Sequence, residues 1–199
     1  MGRKATDKPR KSDPRKVSEW MIALFPKVQN TQLRKMTMDE FAALIGISKA
    51  TLYAYLRSKE ELMLALLSTK LQEIGAYQHI LQDERKPHAS RLEDVIKQLT
   101  AVLPGISNSF LAEVRNHFPT VWESVDAFLE IAFGGLISFY QEGMQTGAFR
   151  RISPALLAAT DRQFFLLMTN PDFLIKNELT LHEAVKSYID LRFYGLLAT

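Results

Sequence analysis

Signals that begin α-helices recur along the whole chain, and they constrain its fold more than any other feature. In a capping box, a Ser or Thr at the helix start and a Glu three residues later each satisfy a backbone amide that the helix leaves unpaired. Four such pairs occur: Thr37/Glu40, Ser58/Glu61, Ser90/Glu93 and Thr180/Glu183. Asp13-Pro14 and Ser153-Pro154 add two starts with proline in the first turn. Period-two alternation typical of strands is almost absent, so the sequence predicts an all-α fold.

These starts, with glycine and proline breaks between them, predict nine helices. They cover about 14–29, 38–45, 49–55, 59–81, 91–103, 107–117, 120–146, 154–169 and 181–197. The segment 83–89 carries adjacent charges and Pro87, and is predicted to be a loop.

Composition narrows the class of protein. Hydrophobic residues make up 47% of the 199, which is ample for a buried core. The chain contains no cysteine, which excludes disulfides, thiolate metal sites and cysteine nucleophiles and fits a reducing compartment. No apolar run is long enough to span a membrane, and no secretion signal follows the basic N-terminus. We therefore expect a globular, cytoplasmic protein.

Charge is distributed unevenly along the chain. Residues 1–62 contain 13 Lys and Arg against 7 Asp and Glu, a net charge of +6, whereas residues 63–199 contain 12 against 15, a net charge of −3. This asymmetry suggests an N-terminal part that meets a polyanion and a C-terminal part with another role. A solvated basic tail explains the same composition equally well.

The segment 36–57 contains two short helices that must cross, because too few residues separate them to let them run side by side. Thr37 begins the first helix, and Gly46 is suited to the left-handed conformation of its exit. Ser48 can then cap the second helix, with Ile47 packing against Leu52 to fix its entry angle. The segment is therefore predicted to be a helix-turn-helix, with a plain helical hairpin as the alternative.

The second helix carries side chains suited to DNA. Leu52 and Leu56 share one face and are predicted to be buried. The rest of its surface is expected to meet phosphates and base edges, through Ser48, Lys49, Ala50, Thr51, Tyr53 and Tyr55. The amides at its N-terminus favour a phosphate near Ser48.

From Thr37 to Leu62 the sequence, with its IGISKATLY core followed by RSKEEL, resembles the DNA-binding motif of the bacterial tetracycline-repressor (TetR) family. The resemblance implies a two-domain, nine-helix homodimer in which the third helix contacts the major groove and a ligand in the C-terminal core alters DNA binding. It also implies DNA contacts at Thr37 and at Lys59, the latter as a phosphate clamp. One departure is that Leu24-Phe25 is followed by Pro26 and a stretch without glycine.

This interpretation divides the chain into three parts. Residues 1–16 form a basic arm, 14–62 the DNA-binding domain, and 63–199 the ligand-binding and dimerisation domain. The arm either follows the DNA backbone or acts as a solubilising tail. Its candidate contacts are Arg10, Lys11, Arg15 and Lys16.

The C-terminal part is rich in aromatic residues, most of which helical spacing explains as ordinary core. Some are also candidates for a pocket that holds a flat or apolar effector: Phe110, Trp122, Phe128 and Phe164. The eighth and ninth predicted helices are expected to form the dimer interface, with monomer core as the alternative. Its candidate residues are Leu157, Phe164, Val185, Tyr188, Ile189 and Phe193.

No pattern indicates catalysis. The four histidines lack metal-ligand spacing, and no phosphate-binding glycine loop or nucleophile motif is present. We expect no enzyme activity, cofactor or metal. The favoured function is a repressor that leaves a palindromic operator when a small hydrophobic effector binds. The alternatives are a helical carrier of apolar molecules that binds no DNA, a helical enzyme and a basic-tailed interaction protein.

Overall fold

A computed structural model describes residues 11–196, with side chains described as far as Arg192. This part of the chain contains helices and no strand longer than an isolated bridge. The α-helices are α1 (Pro14–Leu24), α2 (Met38–Ile45), α3 (Lys49–Tyr55), α4 (Lys59–Gly75), α5 (Tyr77–Leu81), α6 (His88–Val102), α7 (Asn108–His117), α8 (Pro119–Gln145), α9 (Pro154–Met168), α10 (Pro171–Lys176) and α11 (Leu181–Leu196). Short 3-10 turns follow α1 and α6, at Phe25–Lys27 and Leu103–Gly105.

The first three helices form a small unit around one apolar centre. Asp13 caps α1 by accepting a hydrogen bond from the Lys16 amide, with Pro14 in the first turn. α2 ends at Gly46, whose φ of 82° is the left-handed conformation that a residue with a Cβ adopts only at a cost. This exit lets α2 and α3 cross. Their inner faces bury Phe41 and Leu52, which are both 0% exposed.

α4 connects this unit to the remaining helices. It packs against α1 in the first unit and against α6 and α8 in the second. Leu62, Met63, Leu66 and Leu67 are buried along it, which makes one core continuous from the first unit to the second.

The C-terminal helices surround α8, a helix of 27 residues. α8 packs against α4, α7 and α9, while α11 packs against α6 and α9. Near the end of α8 lies Gly143, where an added Cβ would be 2.1 Å from the Phe149 ring. Only glycine allows the chain after α8 to fold back so closely. No helix between residues 11 and 196 is both long enough and apolar enough to cross a lipid bilayer.

The predicted all-α fold is confirmed, and several predicted boundaries are corrected. The first helix ends at Leu24 instead of residue 29, because Pro26 cannot donate a helical hydrogen bond and the chain tightens into a 3-10 turn. The long helix predicted over 59–81 breaks at Ala76 into α4 and α5. α10 was not predicted: Asn170-Pro171, interpreted as a break, caps this short helix instead.

The start of α6 also differs from the prediction. The helix begins at His88, so Ser90 lies inside its first turn and the predicted capping box Ser90/Glu93 is wrong. His88 and Arg91 are buried at 9% and 5% exposure. Arg91 Nη1 donates to the Leu81 carbonyl at 2.8 Å, which ties this turn to the end of α5. Tertiary contacts thus extend the helix beyond its local cap signal.

Candidate nucleic-acid interface and internal cavity

α3 presents a polar face to solvent because its leucines point inward. Ser48 accepts a hydrogen bond from the Thr51 amide at 3.1 Å, and the two hydroxyl oxygens lie 2.8 Å apart. Leu52 is fully buried, while Tyr53 is 40% exposed. Lys49 and Ala50 are also exposed. The predicted outward orientation of this face is therefore observed, and the major groove of DNA is wide enough to admit such a helix.

Lys49 of α3 forms an ion pair with Asp39 of α2. Its Nζ lies 2.8 Å from Asp39 Oδ1 and 5.9 Å from the centroid of the Tyr53 ring. The hydrogen bond to Asp39 raises the pKa of Lys49, and both side chains are more than half exposed. Since solvent screens such a pair, a phosphate can displace Asp39 at small cost.

Thr37 and Lys59 flank this face, each already held by the protein. Glu40 accepts hydrogen bonds from the Thr37 amide and hydroxyl, at 2.6 and 2.8 Å, which completes the predicted capping box. The bond from the Thr37 amide is the main reason that the pKa of Glu40 lies below its usual range. Lys59 Nζ donates to the Arg34 carbonyl at 2.7 Å. The Lys59 amine is thus fixed beside the turn that precedes α2.

Tyr55 is not on this surface, which corrects its prediction as a DNA contact. It follows Leu52 by three residues and so shares the inward face of α3. Its side chain is 8% exposed and packs edge-on against Trp20, with ring centroids 5.1 Å apart. Tyr55 therefore joins α3 to α1.

The described part of the basic arm lies beside α3. The Lys11 amide donates to the Ala54 carbonyl at 3.1 Å, near the end of that helix. Lys16 Nζ lies 5.5 Å from the Trp20 ring and 5.6 Å from the Tyr55 ring. Arg15 is exposed. The predicted contact Arg10 lies outside the described residues.

A cavity of about 180 Å³ lies among the C-terminal helices and reaches the end of α1. Phe110, Trp122 and Phe128 line it, as predicted from their aromatic character. Phe164 does not: it stacks on Tyr188 with ring centroids 3.6 Å apart, while the neighbouring Phe165 faces the cavity. Phe25, from the turn that follows α1, forms part of the wall.

One end of the cavity is polar, and sequence analysis did not identify it. Asp161 is 2% exposed and accepts hydrogen bonds from the hydroxyls of Tyr140 and Tyr188. Arg192 Nε also donates to it at 2.7 Å. Burial and the adjacent carboxylate raise the pKa of both tyrosines, so they remain neutral donors. These residues lie on α8, α9 and α11, so no local sequence pattern places them together.

The residues predicted for the dimer interface have several different environments. Leu157, Val185 and Ile189 are buried in the core of the chain itself, which corrects their assignment to an outer surface. Tyr188 is bound to Asp161 and stacked on Phe164. The Phe193 side chain lies outside the described residues. The same two helices instead expose other apolar side chains: Leu156 (59%), Leu167 (40%) and Leu191 (72%).

No cluster of His, Asp and Glu side chains that could hold a metal ion occurs between residues 11 and 192. The fold and the exposed face of α3 define the class: a helix-turn-helix protein with a second helical unit that encloses a cavity.

Comparisons with known proteins show which proteins the chain resembles. Residues 33–66 match the family described as bacterial regulatory proteins, tetR family. The chain is 27% identical over 166 residues to the uncharacterized HTH-type transcriptional regulator YvaF of Bacillus subtilis strain 168, covering 81% of this chain and 86% of the relative.

Solved structures share the fold. PfmR, a TetR-family regulator from Thermus thermophilus, is 20% identical with a TM-score of 0.61, over 88% of this chain and 97% of that one. AibR in complex with isovaleryl coenzyme A and operator DNA is 17% identical with a TM-score of 0.57, over 88% and 97%. The chain thus contains a DNA-binding segment that matches the tetR family, within a fold that it shares with TetR-family regulators. The alternative of a carrier that binds no DNA is not favoured.

Proposed function

We propose that this regulator is a homodimeric repressor that binds a palindromic operator through α3 and releases it when a small apolar molecule enters the cavity. One observation carries the DNA-binding part. α3 buries Leu52 and turns Lys49, Ala50 and Tyr53 to solvent on a helix whose start is capped by Ser48.

Side-chain chemistry determines which residues of this surface are proposed to contact bases and which to contact phosphates. Lys49, Ala50, Thr51 and Tyr53 contact base edges and the adjacent backbone, while Thr37, Ser48 and Lys59 contact phosphates. The arm adds backbone contacts through Lys11, Arg15 and Lys16, which are exposed in the described part of the chain. Each phosphate neutralised by a cation contributes about 0.9 to the slope of log affinity against log salt concentration.

The proposed boundary between the DNA-binding domain and the ligand-binding and dimerisation domain stays near residue 62, within α4. We propose that α9 and α11 form the dimer seam, with Leu156, Leu167 and Leu191 as its apolar contacts. Two-fold pairing would place the two copies of α3 in successive major grooves, about 34–36 Å apart. Since DNA is the proposed partner, the site of action is the cytoplasm, and no catalytic step is part of the proposal.

Release of the operator is proposed to begin at the cavity. Its wall includes Phe25 from the end of α1 and Leu67 and Leu71 from α4. A ligand that moves these side chains would change the angle between the two DNA-binding units of a dimer, and so their match to the two half-sites.

Selection of double-stranded DNA from a random pool by the purified protein tests the DNA-binding proposal. A palindromic sequence should be enriched and bound by two copies of the chain. Lys49→Ala and Tyr53→Ala should each weaken operator binding by about 1–3 kcal/mol at fixed salt with little change in melting temperature. Lys97→Ala, on the exposed side of α6, is the matched control and should leave affinity unchanged. Enrichment of no sequence would contradict the proposal.

Sedimentation tests the dimer seam separately. Leu191→Glu and Leu156→Glu should convert the dimer to monomer by burying a charge in an apolar contact. Ile22→Glu, an equally exposed position on α1 at 64%, should leave the dimer intact. A monomeric wild-type protein, or a dimer that tolerates both substitutions on α9 and α11, would contradict this seam.

A further inference from the structure

The cavity wall has one positive charge that the wall itself does not neutralise. Three ionised side chains line the cavity: Lys70, Asp161 and Arg192. Asp161 and Arg192 neutralise each other through the hydrogen bond at 2.7 Å. The second terminal nitrogen of Arg192 donates to the Leu157 carbonyl at 2.7 Å and to the Thr160 hydroxyl at 2.8 Å. With two tyrosine hydroxyls also bound to it, Asp161 has little capacity to receive a further donor from a ligand.

Lys70 lies in a different part of the wall and is poorly compensated. Its side chain is only 12% exposed, and its Nζ lies 4.9 Å from the centroid of the Phe25 ring. Its acceptor among the described residues is Glu73, at 2.8 Å, which leaves two of the three N–H donors without a protein acceptor there. Glu73 is 54% exposed and is not part of the wall, so solvent weakens the pair.

The rest of the wall is dominated by apolar side chains, and its size limits the ligand. The volume of about 180 Å³ is close to that of an engineered apolar cavity of about 150 Å³ that binds benzene. A single aromatic ring or a short alkyl chain therefore fits without expansion of the helices. Trp122 and Phe128 offer flat apolar surface for such a group.

We propose that the cavity binds a small amphipathic monoanion, with its carboxylate on Lys70 and its ring or short alkyl body among the aromatic side chains. A carboxylate supplies the acceptor that Lys70 lacks and gains strength from the poorly solvated surroundings. A cationic ligand would meet Lys70 as a like charge and find Asp161 already occupied. This inference rests on the proposed effector role of the cavity, but it concerns binding alone.

Three probes of nearly equal shape separate charge from size: 4-methylbenzoate, 4-methylbenzamide and 4-methylbenzylamine. Calorimetric titration of the full chain should show the benzoate binding at least about tenfold more tightly than the amide, and the amine more weakly than either. Lys70→Met keeps the apolar stem over Phe25 and should abolish the preference for benzoate over amide. Lys97→Met, on the solvent side of α6, should retain it. Melting temperatures establish that both variants are folded.

Trp122 fluorescence locates the bound probe, because Trp122 lines the cavity. The benzoate should change the emission of the wild-type protein, and Trp122→Phe should remove most of that change. Equal affinity for benzoate and amide, a preference that survives Lys70→Met, absence of binding, or binding without a Trp122 signal would each overturn the inference.

Adding the same compounds to the protein bound to its operator distinguishes failure of this inference from failure of the proposed function. If the benzoate binds through Lys70 but does not release the operator, this inference stands and the proposal that filling the cavity releases the operator fails. If an uncharged apolar molecule releases the operator while the benzoate does not bind, the repressor proposal stands and this inference fails.

Discussion

The rings of Phe25 and Phe110 lie 5.0 Å apart, centroid to centroid, and are tilted by 60°. Phe25 follows α1 directly, whereas Phe110 belongs to α7, and both line the cavity. A molecule that fills the cavity therefore contacts a side chain from the segment that positions the helix-turn-helix. This contact is one structural connection between the proposed effector and the proposed operator.

Phe25→Leu should weaken the coupling between effector and operator. For any compound that binds the cavity and releases DNA, we expect the ligand-induced change in operator affinity to shrink by about fivefold or more, since coupling energies are typically about 1–3 kcal/mol. Operator affinity measured with and without saturating compound gives this ratio. Phe128→Leu is the control, because Phe128 lines the same cavity beside Gly75, away from α1. Unchanged coupling in Phe25→Leu would show that the signal takes another route.

Two tyrosines on α3 should respond in opposite ways to the same substitution. Tyr55→Ala removes a ring that is 8% exposed and packed on Trp20, so the free energy of unfolding should fall by about 3–5 kcal/mol. Tyr53→Ala removes an exposed ring and should change it by less than about 0.5 kcal/mol. Urea denaturation of the two variants measures both values. Similar losses for the two would contradict the orientation of α3.

Two glycines should also respond in opposite ways to alanine. Gly46 has a φ of 82° with no atom within 4 Å of an added Cβ, so Gly46→Ala meets only backbone strain and should destabilise the protein by about 1–2 kcal/mol. Gly134 lies inside α8, also with open space around its Cβ position. Gly134→Ala should stabilise the protein by about 0.5–1 kcal/mol through helix propensity. Chemical denaturation distinguishes the two, and a stabilising Gly46→Ala would contradict the left-handed turn.

His88 should make stability depend on pH below neutrality. Burial, and then the charge of Arg91, lower the pKa of His88 below its ordinary value of 6.5, although Glu142 opposes them. As the pH falls below that value, the unfolded chain takes up a proton that the folded chain still resists. The free energy of unfolding should then fall, by at most about 1.4 kcal/mol for each pH unit until the folded pKa is reached.

Denaturation at about pH 7.5 and about pH 5.5, on either side of the ordinary histidine pKa, measures this dependence, and His88→Gln should reduce it. Glutamine keeps a hydrogen-bonding group near Arg91 and Thr146, whose side chains lie 3.3 and 3.4 Å from the His88 ring nitrogens. His79→Gln, at an exposed position on α5, should retain the wild-type dependence. An equal loss in wild type and His88→Gln would assign the effect to other groups.

Local chemistry in the sequence predicts helix starts well where a side chain acts alone. Thr37/Glu40 and Thr180/Glu183 form both hydrogen bonds of a capping box. At Ser58 the carboxylate of Glu61 accepts from the Arg57 amide instead, one residue before the cap. Ser90 fails because burial of His88 and Arg91 sets the start of α6. Tertiary packing therefore overrides local capping signals where buried polar groups are present.

In the candidate site, too, local sequence patterns predict some features and not others. The outward face of α3 follows from the spacing of Leu52 and Leu56, and only Tyr55 is misplaced, since it lies three residues from Leu52. The aromatic wall follows from composition, but Phe164 and Phe165 differ by one residue and thus by about 100° around α9, which sequence spacing did not resolve. The cluster around Asp161 and the position of Lys70 depend on how α4, α8, α9 and α11 meet, and no local pattern contains that information.

Phe25 lines the cavity and also belongs to the segment that follows α1 in the helix-turn-helix unit. The positions of the cavity wall are therefore not equivalent for the engineering of a biosensor. If the cavity is the effector site, changes at Trp122 or Phe128 should alter the shape offered to the effector with little effect on operator binding in its absence. A change at Phe25 should alter both traits together, so a library that randomises all wall positions at once would confound them.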